Sequence, residues 1–178
     1  MKIYVFFLLA LAVHSCKVSS SSHVPLIIAN TSTTINIQNL CPENGNCNVK
    51  TYKNSLITLK EDTTGRYYPV IEEGDYTVVE YTFKIKGPEG TVDGDYSETV
   101  HFQIAKTQEE MRIENDELNN VKLLFGKHCF CKGEAGYYRV NNGVLIVNKT
   151  EEGMVIDLEF AVNEVSHKII ALKETIIF

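Results

Sequence analysis

Tryptophan is absent from this chain of 178 residues, so its aromatic surface must come from 9 tyrosines and 8 phenylalanines, which fall in β-like runs. Basic charge is short as well. With 17 Lys and Arg against 23 Asp and Glu, the net charge of −6 argues against a nucleic-acid binder, which needs clustered Lys and Arg to neutralise phosphates. After residue 16 no apolar run approaches the roughly 18 residues of a membrane helix. No G-x-S-x-G presents a serine nucleophile, and the cysteine spacings do not include the C-x-x-C of thioredoxin-like sites. The sequence therefore offers no support for catalysis and calls for no cofactor. It contains neither an internal repeat nor, beyond its N-terminal region, a strong linker.

What is present begins with an export signal. Met1-Lys2 opens a nearly unbroken apolar run over residues 3–13, of signal-peptide length and too short to span a bilayer as a mature helix. It ends at Val13-His14-Ser15-Cys16, which resembles the lipobox read by bacterial lipoprotein signal peptidase. The resemblance implies a signal peptide over 1–15 and a mature chain that starts at an acylated Cys16. Residues 16–32, with Lys17-Val18 and a run of four serines, then form a flexible polar tether. Lys17 stands where an aspartate retains some lipoproteins at the inner membrane, so the same resemblance favours the outer membrane. Ordinary secretion, with Cys16 discarded or free, is the plainer alternative. In that case Asn30-Thr31-Ser32 and Asn148-Lys149-Thr150 would matter as glycosylation acceptors in a eukaryotic source.

Residues 33–178 read as a single β-rich domain, long enough to bury a core without relying on disulfides. Thr34-Ile35-Asn36-Ile37-Gln38 alternates like a half-buried strand. Residues 49–59 continue as strand with a break near Lys53-Asn54-Ser55. Over residues 76–85, Val79, Tyr81, Phe83 and Ile85 share one face while Glu80, Thr82 and Lys84 share the other. Val100, Phe102 and Ile104 repeat that pattern after a Gly/Pro-rich connection, which predicts a hairpin. Residues 107–125 break the rhythm, and Asn115 or Asp116 could cap a short helix near 115–125 that ends at Gly126. Tyr137 to Val147 reads as a hairpin around Asn141-Asn142-Gly143, and two further strands are expected over 154–162 and 167–178. The expected fold is mainly β, an antiparallel sandwich or barrel-like meander with one short helix.

Cysteine poses the sharpest question. Setting Cys16 aside, Cys41, Cys47, Cys129 and Cys131 allow three pairings. A Cys41–Cys47 bridge closes a short loop around a good turn, worth about 2.4 kcal/mol by loop entropy. Bridges from that loop to Cys129 or Cys131 close far longer loops, worth about 4.6 kcal/mol each. A Cys129–Cys131 bridge would be strained unless the chain turns there. Alternation places both sulfurs on one side of a strand, with His128 and Phe130 on the other. That arrangement favours a cross-link back to the N-terminal strands. The competing chemistry is a four-thiolate or soft-metal site drawing on Cys41, Cys47, Cys129, Cys131 and His128, or a thiol redox role.

Other candidates carry bland readings. Asp93, Asp95 and Glu98 resemble a fragment of a calcium loop without its remaining ligands. Glu72, Glu73 and Asp75 could supply a carboxylate pair but sit on a predicted turn. The pairs Tyr67-Tyr68 and Tyr137-Tyr138 should each turn one ring inward and could line a ligand groove. Together the lipobox, serine-rich tether, Cys41-Pro42-Glu43-Asn44-Gly45-Asn46-Cys47 and Cys129-Phe130-Cys131 resemble the small β-domain lipoproteins of Bacteroidota-type bacteria. That resemblance implies a lipid-anchored envelope protein but no known activity; the first expectation is a non-enzymatic domain that binds a partner or serves structurally. The alternatives are a thiol or metal protein and a small-molecule-binding barrel.

Overall fold

The computed structural model describes residues 40–177. The expected signal peptide and tether, with Cys16 and Asn30, and the strand expected at 34–38 lie outside the described residues. Ten strands build two antiparallel sheets: β1 (Asn46–Glu61), β2 (Tyr67–Glu73), β3 (Tyr76–Ile85), β4 (Tyr96–Ala105), β5 (Glu110–Glu114), β6 (Leu124–His128), β7 (Gly136–Arg139), β8 (Gly143–Lys149), β9 (Gly153–Phe160) and β10 (Ala171–Ile177). A six-stranded sheet runs β2-β1-β3-β4-β6-β7, and a four-stranded sheet runs β10-β9-β8-β5. The mainly β fold with one short helix is as the alternation predicts.

The two sheets face each other across the main core. Val79, Tyr81 and Phe83 of β3 and Val100, Phe102 and Ile104 of β4 meet Leu145, Val147, Ile156, Leu158 and Leu172 there. These are the inward residues of period-2 strands, and their burial supplies most of the driving force. The β3–β4 hairpin pairs from Tyr76↔Ala105 to Ile85↔Tyr96, as the sequence pattern predicts.

β1 does two jobs. Its first part pairs with β3 from Asn46↔Lys84 to Tyr52↔Val78, and a bulge between Tyr52 and Ser55 breaks the register. Asn54 takes a left-handed φ of 53° at that break, a conformation asparagine tolerates better than most residues. Beyond it, Ser55 to Glu61 pairs with β2, and this hairpin folds back over the second face of the sheet. Ile57, Leu59 and Ile71 of the hairpin pack with Val78, Leu124 and Tyr52 of that face in a separate small cluster. Ile57 bridges the layers through its backbone: its N–H donates to Gln103 Oε1 at 2.8 Å, and its carbonyl accepts from Lys122 Nζ at 2.5 Å. The turn of the hairpin reaches the 129–135 loop, where Arg66 Nη1 donates to the Ala135 carbonyl at 2.9 Å. The sheet is thus curled, with β2 brought against β7.

Three sequence expectations shift. The helix is a 3₁₀ helix over Asn115–Val121, closed by Lys122 in a left-handed conformation. Leu124, Phe125 and Gly126 belong to β6, because pairing with His101, Val100 and Thr99 of β4 outweighs their helical spacing. β7 and β8 do not form a hairpin. β7 pairs with β6 and β8 with β9 and β5, so Asn141-Asn142-Gly143 carries the chain from one sheet to the other. A Cβ on Gly143 (φ 152°) would lie 2.3 Å from the Glu159 carbonyl, so this crossing requires glycine. Finally, the expected strand at 167–178 begins only at Ala171, because the segment before it is held by side chains described below.

Candidate functional site

One end of the six-stranded sheet gathers the residues of interest. The row Cys47–Phe83–Glu98–Lys127–Gly136 runs across five strands. Just beyond it lie the 41–45 turn, the β3–β4 loop and the 129–135 loop. The first is shaped by Pro42 and by Asn44 at φ 64°. Gly45 lies so close to Phe83 that a Cβ would fall 2.2 Å from its ring. Cys41 and Cys47 are bridged across this turn with Cα atoms 5.8 Å apart.

Cys129 and Cys131 are also bridged to each other, with Cα atoms 5.2 Å apart. The long-range cross-link favoured by alternation is not made, and the reason is local. β6 stops at His128, the chain bends through Cys129 and Phe130, and Glu134 N–H donates back to the Cys131 carbonyl at 3.3 Å. Gly133 supplies the positive φ of 82° that this turn needs. The condition that makes a C-x-C bridge feasible, a chain reversal, is therefore met. Phe130, held between the two sulfurs, is 95% exposed, and Val92 on the neighbouring loop is 96% exposed. They flank an open cavity of about 350 Å³ whose wall includes Asp93, Asp95, Ser97, His128 and Cys129.

Behind this end sits a buried charged clamp that sequence reasoning missed. Glu98 is wholly buried and accepts from the backbone N–H groups of Lys168 (2.7 and 3.0 Å) and Ile169 (2.7 Å), and from the Tyr96 hydroxyl. Burial and the bond to Glu98 hold the Tyr96 phenol well above its ordinary range. Lys127, buried on the adjacent strand, donates to the Ser166 carbonyl at 2.8 Å, to Ser166 Oγ at 3.0 Å and to Glu134. The Lys127 ammonium in turn draws the Glu134 carboxyl below its usual value. Both side chains thus tie the β9–β10 connection to the six-stranded sheet. The signal was available: Glu98 shares the parity of Val100, Phe102 and Ile104, and Lys127 that of Phe125. His167 completes the loop as a neutral imidazole. It donates from Nδ1 to the Ile169 carbonyl (2.7 Å), accepts from Val162 N–H (3.0 Å) and stacks on Phe160.

The second face of the sheet, under the folded-back hairpin, carries a polar group beside its small apolar cluster. His101 falls on the polar side of β4, as alternation predicts, yet it is only 5% exposed because the hairpin covers it. Its Nε2 lies 3.5 Å from Glu80 Oε2, which also accepts from the Tyr52 hydroxyl at 3.1 Å. His101 Nδ1 is buried without a hydrogen-bond partner. Burial lowers the His101 pKa from the ordinary histidine value, with Glu80 opposing that shift and His128 adding to it. His128, 3.3 Å from Thr99 Oγ1 through Nε2, is lowered by burial alone. Tyr137 lies edge-on to both imidazoles, at 6.0 and 5.2 Å between ring centres. Gly126 makes room for this stack, since a Cβ there would strike Thr99, Tyr137 and His128. A cavity of about 210 Å³ opens beside it, between Arg66-Tyr67 and Gly133–Tyr138. Chemically, a neutral imidazole beside a carboxylate could exchange a proton, but among the described residues no serine or free thiol is hydrogen-bonded to it.

The remaining candidates separate. Asp95 caps Gly87 N–H (2.9 Å) and pairs with Lys84 (2.6 Å), while Glu98 points into the core, so the calcium-loop fragment is not assembled. Glu72 lies on β2, not on a turn, and pairs with Lys60 at 2.8 Å; Glu73 ends that strand and Asp75 pairs with Lys106. Tyr138 turns toward the main core and Tyr137 away from it, as predicted. Tyr67 and Tyr68, on the edge strand β2, are instead both exposed, with the Arg139 guanidinium 5.7 Å from the Tyr67 ring centre. Among the described residues no cluster of three or more His, Cys, Asp and Glu side chains is arranged to hold a metal ion. Comparisons with protein-family models, with curated proteins and with solved structures find no match to this chain.

Proposed function

We propose that this chain is an exported, lipid-anchored domain of the bacterial cell envelope that has no enzymatic role and acts by binding. The observation that carries the reading is the state of the cysteines. The two bridges at Cys41–Cys47 and Cys129–Cys131 suit an oxidising compartment. They leave Cys16, at the end of the apolar run, as the one cysteine of the sequence outside a pair. Acylation would use that sulfur, and a multiply acylated cysteine holds a protein on a membrane far better than a single chain does. The outer membrane, favoured by Lys17, belongs to the same proposal. Labelling with an alkyne-bearing fatty acid in a Gram-negative host tests it. The chain should take the label and sediment with membranes, and Cys16→Ser should lose both. Label retained by Cys16→Ser, or an unlabelled chain in the soluble fraction, would overturn the reading.

A second reading, a site for a small ligand on the covered polar face, is favoured by the unpartnered His101 Nδ1 and the adjoining cavity. The thiolate-metal alternative would require both bridges to be open. Thiol titration of the unreduced protein separates it: four free thiols with bound metal would support a metal protein, and none would exclude it.

A further inference from the structure

Exposed apolar side chains are not scattered over the described domain. Leu40, Val92, Phe130, Tyr67 and Tyr68 make up five of its seven exposed large hydrophobics, beside Ile170 and Ile177. The first three stand on the loops that leave the sheet beyond the Cys47–Phe83–Glu98–Lys127 row. Tyr67 joins them through the cavity it shares with Gly133 and Ala135, and through Arg66, which is bonded to Ala135. The described chain begins at this same end, at Leu40, one residue before the bridge that ties Cys41 to Cys47 at the head of β1. Ile177 lies elsewhere, paired with Gly153 at the far end of the β9–β10 ladder.

We propose that this end is the face the domain turns to a lipid bilayer. Phe130 and Val92 would enter the interfacial layer, and Tyr67 and Tyr68 would lie at headgroup level. The inference rests on the anchored reading above, in which the chain reaches Leu40 from an acylated Cys16. Three observations favour lipid over a protein surface. Phe130 and Val92 project almost completely into solvent from separate loops, a shape a fluid interface accommodates without a matching pocket. The residues are aromatic and aliphatic, the composition of interfacial anchors. Nearby charge is of both signs, with Asp95 already neutralised by Lys84, so no strong like-charge field opposes approach to a zwitterionic surface. The Cys129–Cys131 bridge holds Phe130 outward before contact, which reduces the ordering cost of docking. A tethered domain also needs only a weak contact, because its local concentration at the surface is high.

The test uses the absence of tryptophan from the native sequence. The full chain carrying Phe130→Trp has a single indole and is reconstituted into phosphatidylcholine vesicles with or without brominated acyl chains. Flotation with the vesicles reports the anchor, and indole emission reports the tip. Emission shifted to the blue and quenched at least about twofold by bromolipid supports the proposal. Ile177→Trp should stay unquenched. Equal quenching at the two positions, or none at position 130 in a chain that floats, overturns it. An indole at position 130 that ignores lipid but shifts on addition of an envelope protein fraction also overturns it, in favour of a protein partner. If the chain does not float, the anchor reading fails by itself. Excess vesicles added to the Cys16→Ser, Phe130→Trp chain then decide the tip contact separately: quenching supports it and its absence overturns it.

Discussion

The two faces of the six-stranded sheet bury polar side chains in different ways. On the face toward the four-stranded sheet, Glu98 and Lys127 lie among Phe83, Val100 and Phe125 with their polar atoms engaged. On the face under the hairpin, His101 keeps one nitrogen without a partner and its carboxylate neighbour at 3.5 Å. The first face is covered by another sheet; the second is covered only by a fold-back of β1 and β2 that packs through the small Ile57, Val78 and Leu124 cluster. The contrast teaches that charge is tolerated at the deep interface because it replaces missing strand pairing. Glu98 supplies acceptors to backbone groups that no neighbouring strand serves. The hairpin side has fewer apolar contacts to offset an unsatisfied atom, so it is the weaker half.

Breaking the clamp should have the largest effect. Glu98→Ala leaves the N–H groups of Lys168 and Ile169 and the Tyr96 hydroxyl without their acceptor, a loss of about 3–5 kcal/mol in denaturant unfolding. Glu98→Gln, which keeps an oxygen, should lose less. A Glu98→Ala chain within 1 kcal/mol of the parent, on the scale of ~1 kcal/mol for an ordinary hydrogen bond, would refute the clamp. Next, the two faces can be compared by truncation. Phe102→Ala in the main core should cost about 4 kcal/mol and Ile57→Ala under the hairpin about 2. Hydrogen exchange after Ile57→Ala should rise in residues 55–73 while β3 and β4 stay protected. Uniform exchange across both faces would mean that the hairpin is not a separable layer.

The smallest effect is a pH dependence. His101 and His128 are held below the ordinary histidine range, His101 chiefly by burial against the opposing pull of Glu80 and His128 by burial. Below about pH 6.5 the unfolded chain therefore binds protons that the folded chain resists. Their contribution to stability is complete above that pH and is lost as the pH falls through the lowered folded values. His101→Gln should flatten the decline between neutral and mildly acidic pH, leaving the part due to His128. An unchanged slope would show that His101 does not titrate differently in the two states.

Strand faces were legible where alternation was clean, as in Val79, Tyr81 and Phe83 or Val100, Phe102 and Ile104. The break at Lys53-Asn54-Ser55 was legible too, though nothing in it announces that the strand beyond folds back. Partner choice was the harder matter. Asn141-Asn142-Gly143 signals a turn, but a turn does not say which sheet receives the next strand. Pairing of Leu124 and Phe125 with β4 likewise overrode their helical spacing. At the candidate site the four cysteines could be named, while their pairing depended on where β6 stops. Glu98 read as part of a calcium-loop fragment and Lys127 drew no reading, because a charged residue at a core position looks like an interruption until the backbone groups it serves are visible.

The Cys41–Cys47 bridge has a mechanical consequence. A pull applied to the chain ahead of residue 40 passes through the bridge as well as the turn, so the 41–47 loop cannot lengthen under load. With the domain held at its opposite end, the force enters β1 at Cys47 along the strand and slides β1 past β3 through the rows from Cys47↔Phe83 to Tyr52↔Val78. Those rows share the load together instead of opening one at a time. Resistance to such a pull is set by the rate of forced unfolding. Opening the bridge would add slack to the loop while leaving that shear geometry in place.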